Sequence, residues 1–495
     1  MVGRRANRKL SSITSELPTI HPEPHGFVVG IILHIAARKV VVPRLNWNWI
    51  ESLRVISSKG GLRTVKFNPW TFLATCFPAI LLFLLTSVSQ AEPSPGPDTP
   101  EAAFSRIRAH IKALLSKPQP ELFARHLKSV LALSEEDVLK LELAGADKDE
   151  RAKELHGYLS TIEAGLNGDG ERAEPYLVSG RCSLTLARLS QSDGTLQFYT
   201  VSLPTHWDSH KAYPLYVQLH GRGPDIPLAY ISYTFQPAEE NEAKNADLIT
   251  IVPWLRGNGE WRNENGSEPD IWEAIEDVKS FATIDPNRWY LSGHSWGGDD
   301  AWSIAQRTPD LWAAVGIMAG NPVGAPYALG LVANANNVPF YLWVGDEDKE
   351  RKSSFDNFRT SLTAVGNPPK VVVAAGVGHN YRADDAAALE AWLMQHTRRM
   401  PKHFSFVVDT PQHRGIWGVS IPRIYPDAYP QAEPRVKFEC WIEGSSIRIR
   451  TWDAKQIEVN LGSTGLNLSG KVELIVNGKT RFSGVAPGKP LSLNL

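Results

Sequence analysis

Cysteine is scarce in this chain. Cys76, Cys182 and Cys440 are the only three among 495 residues. No pair has CxxC spacing, and no Cys/His cluster has the spacing of a zinc site, so a thiolate-built metal centre has no basis here. A dense disulfide framework is excluded as well. Cys182 and Cys440 could pair in an oxidising compartment, or remain two buried free thiols. Excess charge is also lacking: the formal net charge is -1. That near-balance hides an asymmetry. Residues 1–91 carry 11 Lys+Arg against 3 Asp+Glu, whereas the remainder carries 41 against 50. A mildly acidic body argues against nucleic acid as a partner. Internal repeats are absent, and the only biased tract is the Pro-rich EPSPGPDTP at 92–100. A 42% apolar fraction and 21% charged fraction are ordinary for a globular protein of two or three domains.

One long apolar run exists, FLATCFPAILLFLLTSV at 72–88. Arg63 and Lys66 precede it, and Ser89 and Ala91 come after it at signal-peptidase spacing. Basic flank, short apolar core and small-x-small end read as a secretory signal peptide over 65–91, cut before Glu92. The alternative is an uncleaved membrane anchor, although the run is short for a span and contains Pro78. Residues 1–64 show no clear period or caps. They are read as a long leader or as sequence ahead of the true start, and are set aside from the fold.

The chain beyond Ala91 divides into three regions. Residues 92–178 open on the Pro-rich stretch and continue as helices, for instance 102–115 and 136–143, with Ser134 as an expected N-cap. Residues 179–400 change pattern. Alternating segments at 183–189 and 196–203 predict antiparallel strands. Nearly continuous apolar runs come next at 213–220, 248–252, 288–292, 313–318, 340–344 and 371–375, with helical segments at 270–281, 298–307, 353–365 and 384–396. Buried strands alternating with helices predict an α/β fold with a mixed, mostly parallel sheet covered on both faces. Residues 401–495 alternate again and carry Asn477-Gly478, a hairpin signal, which predicts a small β-sandwich-like domain.

The chemistry concentrates where strands end. Gly293-His294-Ser295-Trp296-Gly297 lies between a predicted strand and a predicted helix. A serine hydroxyl needs a base to take its proton, and it must stand clear of the backbone. A sharp strand-to-helix turn flanked by glycines presents it that way, so Ser295 is the candidate nucleophile. The N–H of Trp296 is then one oxyanion donor. The second donor is assigned to Arg222 or Gly221, in the Gly-rich turn after strand 213–220. Strand 340–344 ends in Gly345-Asp346-Glu347-Asp348. Asp348 is chosen as the acid, with Asp346 as the alternative. Strand 371–375 leads into Gly376-Val377-Gly378-His379, which makes His379 the candidate base. The order Ser, acid, His suits an α/β-hydrolase sheet.

Taken together, HGRG at 220–223, VPWLRGNGEW at 252–261, DIWEAIEDVKSFATIDPNRWYLSGHSWGG at 270–298, WVGDEDK at 343–349 and GVGHNY at 376–381 resemble secreted esterases related to polyhydroxybutyrate depolymerases and feruloyl esterases. They also resemble the catalytic domain of prolyl-oligopeptidase-like proteins. The resemblance spans roughly residues 195–400. It implies an α/β-hydrolase fold, the same Ser295, Asp348 and His379, and hydrolysis of small-molecule or polymer esters without cofactor or metal. Two departures stand out: a tryptophan succeeds the nucleophile, and too few residues precede the sheet for the propeller of true prolyl oligopeptidases. A serine peptidase is therefore the second reading, and a non-catalytic glycan- or surface-binding protein the third. Trp254, Arg256 and Trp261, with Asn258 and Arg262, share the loop after strand 248–252 and are expected at the substrate rim.

Overall fold

A computed structural model describes residues 53–56, 62–65, 99–141, 147–168, 182–204, 207–223, 226–235, 247–256, 267–321, 331–408, 410, 412–424 and 436–495. The chain divides into two compact units, 1–94 and 95–495. In the first, β1 (Leu53–Ile56) pairs antiparallel with β2 (Leu62–Val65), Leu53 opposite Val65. This pair lies in the stretch set aside as a leader except for Val65, the first residue of the expected signal peptide, whose apolar run at 72–88 lies outside the described residues.

The second unit opens with α1 (Pro100–Leu115), α2 (Glu121–Leu141) and α3 (Lys148–Gly168). Thr99 caps α1 by accepting the Ala102 N–H, and Pro100 at the first helical position fits a start where no N–H is needed. The expectation that Ser134 begins a helix is corrected. It lies buried within α2, whose apolar positions Leu127, Val130, Leu133 and Leu141 keep a helical period through it. Acidic residues after Ser134 resemble an N-terminus, but the continuing apolar stripe decides the outcome.

The main sheet has eight strands. They are β3 (Cys182–Leu189), β4 (Leu196–Leu203), β5 (Tyr213–Leu219), β6 (Ile249–Pro253), β7 (Ile284–His294), β8 (Ala314–Met318), β9 (Phe340–Gly345) and β10 (Lys370–Ala374). The spatial order is β10-β9-β8-β7-β5-β6-β4-β3. β3, β4 and β6 pair antiparallel, and every pair from β6 through β5 to β10 is parallel. With helices on both faces, this is the mixed, mostly parallel α/β sheet that the alternation of runs predicted, in the arrangement expected of an α/β-hydrolase. The helices are α4 (Pro227–Tyr233), α5 (Ser267–Phe281), α6 (Trp296–Arg307), α7 (Lys349–Ala364) and α8 (Ala383–Leu393).

Pleating sends neighbouring residues to opposite faces. Val217, Leu291, Ile317 and Leu342 pack with Ile275, Trp302 and Phe358 of the helices on one face. Tyr216, Tyr290, Tyr341 and Trp343 pack with Leu389 and Leu393 of α8 on the other. All six residues of β9 are buried, as a central parallel strand requires. Fully buried Trp302 meets Phe358 edge-on at 4.4 Å and Phe340 at 5.4 Å. Burying one such side chain contributes on the order of 3 kcal/mol.

The helical layer docks on the antiparallel side of the sheet through Leu127, Ile162, Phe198, Leu228, Ile231 and Trp254. Asp137 of α2 makes a polar anchor there: its Oδ2 accepts the Leu228 N–H at 3.0 Å, at the start of α4, which has no side-chain cap of its own. Among the described residues its other oxygen has no hydrogen-bond partner. Burial pushes this carboxyl up to about 7. A carboxyl whose folded value exceeds its unfolded value resists ionisation in the fold, so stability falls as pH rises from about 4 through about 7 and is flat above. We expect Asp137→Asn to remove that dependence. Measured by urea unfolding, the variant should match the parent at pH 4 and gain ~1–3 kcal/mol on it by pH 8. A difference that does not vary with pH would contradict this account.

The C-terminal region is all β, in two sheets around one core. β11 (His403–Val407), β14 (Lys437–Glu443), β15 (Ser446–Trp452), β17 (Lys471–Val476) and β18 (Lys479–Val485) form one sheet. β12 (Gly415–Ile416), β13 (Val419–Ile424), β16 (Ala454–Val459) and β19 (Leu491–Asn494) form the other. Inward residues Phe404, Phe406, Phe438, Ile449, Ile457 and Leu474 fill the space between them, as the sandwich expectation required. Cys440 lies in this core as a free, buried thiol; the side chain of Cys182 lies outside the described residues. Among the described residues, several contacts join this region to the preceding α/β part. Asn334, in a 3-10 turn (Val332–Asn337), exchanges two hydrogen bonds with the Val407 backbone. The half-buried His413 places Nε2 2.7 Å from Glu268 Oε1 of α5. The Trp417 N–H donates to Asp310 Oδ2 at 2.9 Å.

Candidate active site

The site gathers at the carboxyl ends of β5, β7, β9 and β10, where the loops of a parallel sheet converge. Ser295 stands between β7 and α6 with φ 56° and ψ -120°. A non-glycine residue with positive φ carries backbone strain, and here the strain turns the side chain out of the strand-to-helix corner. Its own N–H donates to the Met318 carbonyl at 2.9 Å, fixing the corner to β8. Glycine is obligatory on both flanks. A Cβ on Gly293 would come within 1.9 Å of the Gly297 carbonyl oxygen, and one on Gly297 within 2.2 Å of the Leu219 carbonyl oxygen.

His379 Nε2 lies 2.9 Å from Ser295 Oγ, and His379 Nδ1 lies 2.6 Å from Asp348 Oδ2. The three residues expected to act together are brought together in one hydrogen-bonded line. The Asp348 side chain is 7% exposed and that of His379 is 41% exposed. Asp348 also caps α7, its Oδ1 accepting the Arg351 N–H at 3.2 Å. That second bond fixes the carboxylate and leaves Oδ2 for the imidazole. Asp346, the alternative acid, points elsewhere: its Oδ1 accepts the Gly376 N–H at 2.8 Å and ties the β9 loop to the β10 loop.

The two expected oxyanion elements flank the serine. Trp296 opens α6 directly after it. Gly221 packs against it, since a Cβ there would lie 3.1 Å from Ser295 Cβ and 3.2 Å from the His294 carbonyl oxygen. The exposed Arg222 holds its guanidinium 5.2 Å from the centre of the Trp296 ring, so the two segments also meet through a cation–π contact. His220, at the foot of this turn, lies 2.7 Å from the Trp254 carbonyl oxygen through Nε2.

The expected substrate rim is corrected at two positions. The Trp254 side chain is buried and stacks on Phe198 at 5.2 Å, within the helical layer's core. Arg256 is held by Asp270 at 2.7 Å and Asp193 at 2.5 Å, which commits its guanidinium to α5 and the β3–β4 turn. Loop position gave both residues to the rim, but an apolar ring finds its core and a guanidinium its carboxylates. Trp261, Asn258 and Arg262 lie outside the described residues.

Behind the serine, α6 carries two adjacent carboxyls. Burial pushes Asp299 up to about 6, moderated by the Asn321 N–H and by Arg351. Asp300 is driven well above the carboxylate range by burial and by the nearby Asp299 and Glu268, and among the described residues neither of its oxygens has a hydrogen-bond partner. Arg351 links Asp348 to α6, its backbone bonding Asp348 and its side chain reaching Asp299. Sequence reasoning also missed His294, whose Nε2 lies 2.8 Å from the His379 carbonyl oxygen. Among the described residues no cluster of three or more His, Cys, Asp or Glu could hold a metal ion.

No family model matches this chain. Among curated proteins it is similar to "Probable feruloyl esterase C" of Aspergillus niger, 28% identical over 128 residues, which cover 25% of this chain and 47% of that one. It is also similar to "Feruloyl esterase C" of Emericella nidulans, 26% identical over 157 residues, covering 32% of this chain and 54% of that one. The chain spans about half the length of the curated relatives it matches. Among solved structures it resembles a thermostable esterase, at TM-score 0.37 and 19% identity, over 44% of this chain and 63% of that one. A CE1 ferulic acid esterase from Anaeromyces mucronatus matches at TM-score 0.34 and 19% identity, over 43% of this chain and 91% of that one. In its central part the chain is thus similar to feruloyl esterases.

Proposed function

We propose that this chain is a secreted serine hydrolase that cleaves carboxylic esters, with Ser295 as nucleophile, His379 as base and Asp348 as its acid partner. The observation that carries the reading is the line from Ser295 Oγ to His379 Nε2 at 2.9 Å and from His379 Nδ1 to Asp348 Oδ2 at 2.6 Å. In that arrangement His379 Nε2 takes the hydroxyl proton as Oγ bonds to the ester carbonyl carbon. Asp348 accepts the Nδ1–H, which fixes the tautomer and stabilises the imidazolium. The carbonyl oxygen, now an oxyanion, is held by the N–H of Trp296 and that of Arg222 or Gly221. The alkoxide leaves with the proton from Nε2. Water repeats the sequence on the acyl-enzyme, releasing the acid and restoring Ser295.

Export rests on the apolar segment at 72–88 and its small-x-small end. Among the described residues no helix is long and apolar enough to cross a membrane. The named relatives make feruloyl esters the first natural substrates to assay. The reading is tested with matched p-nitrophenyl esters, methyl ferulate and peptide p-nitroanilides. We expect ester turnover with amides untouched. Faster amide than ester turnover would install the peptidase reading in its place.

A further inference from the structure

His379 is the most exposed member of the line, and it lies in a loop between β10 and α8 rather than on a regular element. Its ring must stay within hydrogen-bond reach of Ser295 while it gains and loses a proton. Two bonds join this loop to the end of β9: Gly376 N–H to Asp346 Oδ1 at 2.8 Å, and Glu347 N–H to the Val377 carbonyl at 3.0 Å. Both act before His379 in the chain. At the backbone of His379 the contact comes from His294, whose Nε2 is 2.8 Å from the His379 carbonyl oxygen. A carbonyl only accepts, so Nε2 of His294 carries the proton and donates it.

His294 is the last residue of β7 and precedes Ser295. Its ring lies 4.9 Å from the His379 ring and meets Tyr381 edge-on at 5.1 Å. On the other side, a Cβ on Gly221 would be 3.5 Å from its Nδ1. One imidazole therefore touches the base loop, ends the nucleophile's strand, and packs on the oxyanion turn. Burial, together with the neighbouring His379, lowers its proton affinity. A neutral ring is what the site requires, because a fixed cation there would oppose the imidazolium formed on His379.

We propose that His294 is a positioning residue for the acyl transfer: its Nε2–H, bonded to the His379 carbonyl, holds the base in line with Ser295. The inference rests on the proposed roles of Ser295 and His379. It differs from a packing role in requiring a donor at one place on the side chain. Glutamine can put an amide N–H where Nε2 stands. Asparagine is too short and places its amide near Nδ1.

The test uses the full chain with His294→Gln and His294→Asn, and His294→Leu as a filled but donor-free control. Steady-state hydrolysis of a short-chain p-nitrophenyl ester and thermal melting are measured for each. Displacing a reacting group by about an ångström costs up to ~100-fold in rate. We expect kcat to fall ~10- to 100-fold in His294→Asn and His294→Leu with KM within about threefold, and His294→Gln to recover to within about fivefold of the parent. Parent-like kcat in His294→Asn would overturn the proposal. So would a His294→Gln that melts like the parent but is as slow as His294→Asn. Ser295→Ala, assayed alongside, separates the two claims. Full turnover in Ser295→Ala would remove the reading of the site itself, whereas an inactive Ser295→Ala beside a fully active His294→Asn would remove only the role of His294.

Discussion

Ser295→Ala is expected to lower kcat on short-chain esters by at least ~10³-fold while leaving the melting temperature close to that of the parent. The chemical half comes from the deleted atom. Oγ is the group that His379 Nε2 meets at 2.9 Å, and no other hydroxyl stands in that line. What survives is the rate that the oxyanion donors and substrate binding supply without a nucleophile. The structural half comes from the backbone. Ser295 already holds φ 56° with a Cβ attached, so alanine meets the same strain at the same place. The bond that fixes the corner is the backbone N–H to the Met318 carbonyl, and it is unchanged by the substitution. Circular dichroism and melting would show the fold intact. Loss of activity through unfolding would leave the chemistry unproved and contradict this half of the prediction.

The second large effect is expected at a residue with no chemistry of its own. Gly297→Val puts a branched side chain where a single Cβ would already lie 2.2 Å from the Leu219 carbonyl oxygen and 2.5 Å from that of His220. Both obstacles are backbone atoms of β5 and the turn after it, so no rotamer change relieves them. Either α6 moves away from the sheet, taking Ser295 out of reach of His379, or the oxyanion turn moves. We expect kcat/KM to fall more than ~100-fold and urea unfolding to show at least about 2 kcal/mol of lost stability. A variant with parent-like turnover would mean that the turn is not held as described.

Ser295, Asp348 and His379, the proposed triad, were legible as candidates in the sequence because three independent constraints coincide on them. They keep the order of an α/β-hydrolase, each sits at the end of an apolar run, and glycines bracket Ser295 and precede His379. Position alone could not choose between Asp346 and Asp348, since both close the same strand. The choice is made by the next contact of each carboxyl: Asp346 bonds the Gly376 N–H, and Asp348 caps α7 while facing His379. Trp254 and Arg256 were misjudged for a related reason. Being in a loop after a strand says nothing about which way a side chain turns, and these two turn to Phe198 and to Asp193 and Asp270.

His294 was invisible despite lying inside the most conspicuous motif. Its partner is a backbone carbonyl 85 positions away, and a carbonyl leaves no trace in residue identity. The C-terminal region was legible as β but not in detail. The alternation announced strands, whereas the short β19 exists through its pairing with the distant β16, and the two-residue β12 is defined only by its tight pairing with the neighbouring β13. Ser134 shows the opposite failure. A local cap pattern was present, but the apolar stripe on either side carried the helix through it.

The most direct test of the central claim is covalent. The full chain would be treated with a fluorophosphonate probe, digested, and the modified peptide sequenced by mass spectrometry, with Ser295→Ala treated in parallel. The account predicts stoichiometric addition of one phosphonyl group to Ser295 and none in the variant. Labelling that persists in the variant, or an unreactive parent that nevertheless hydrolyses esters, would show that another group attacks the substrate and that the Ser295–His379–Asp348 line does not carry the reaction.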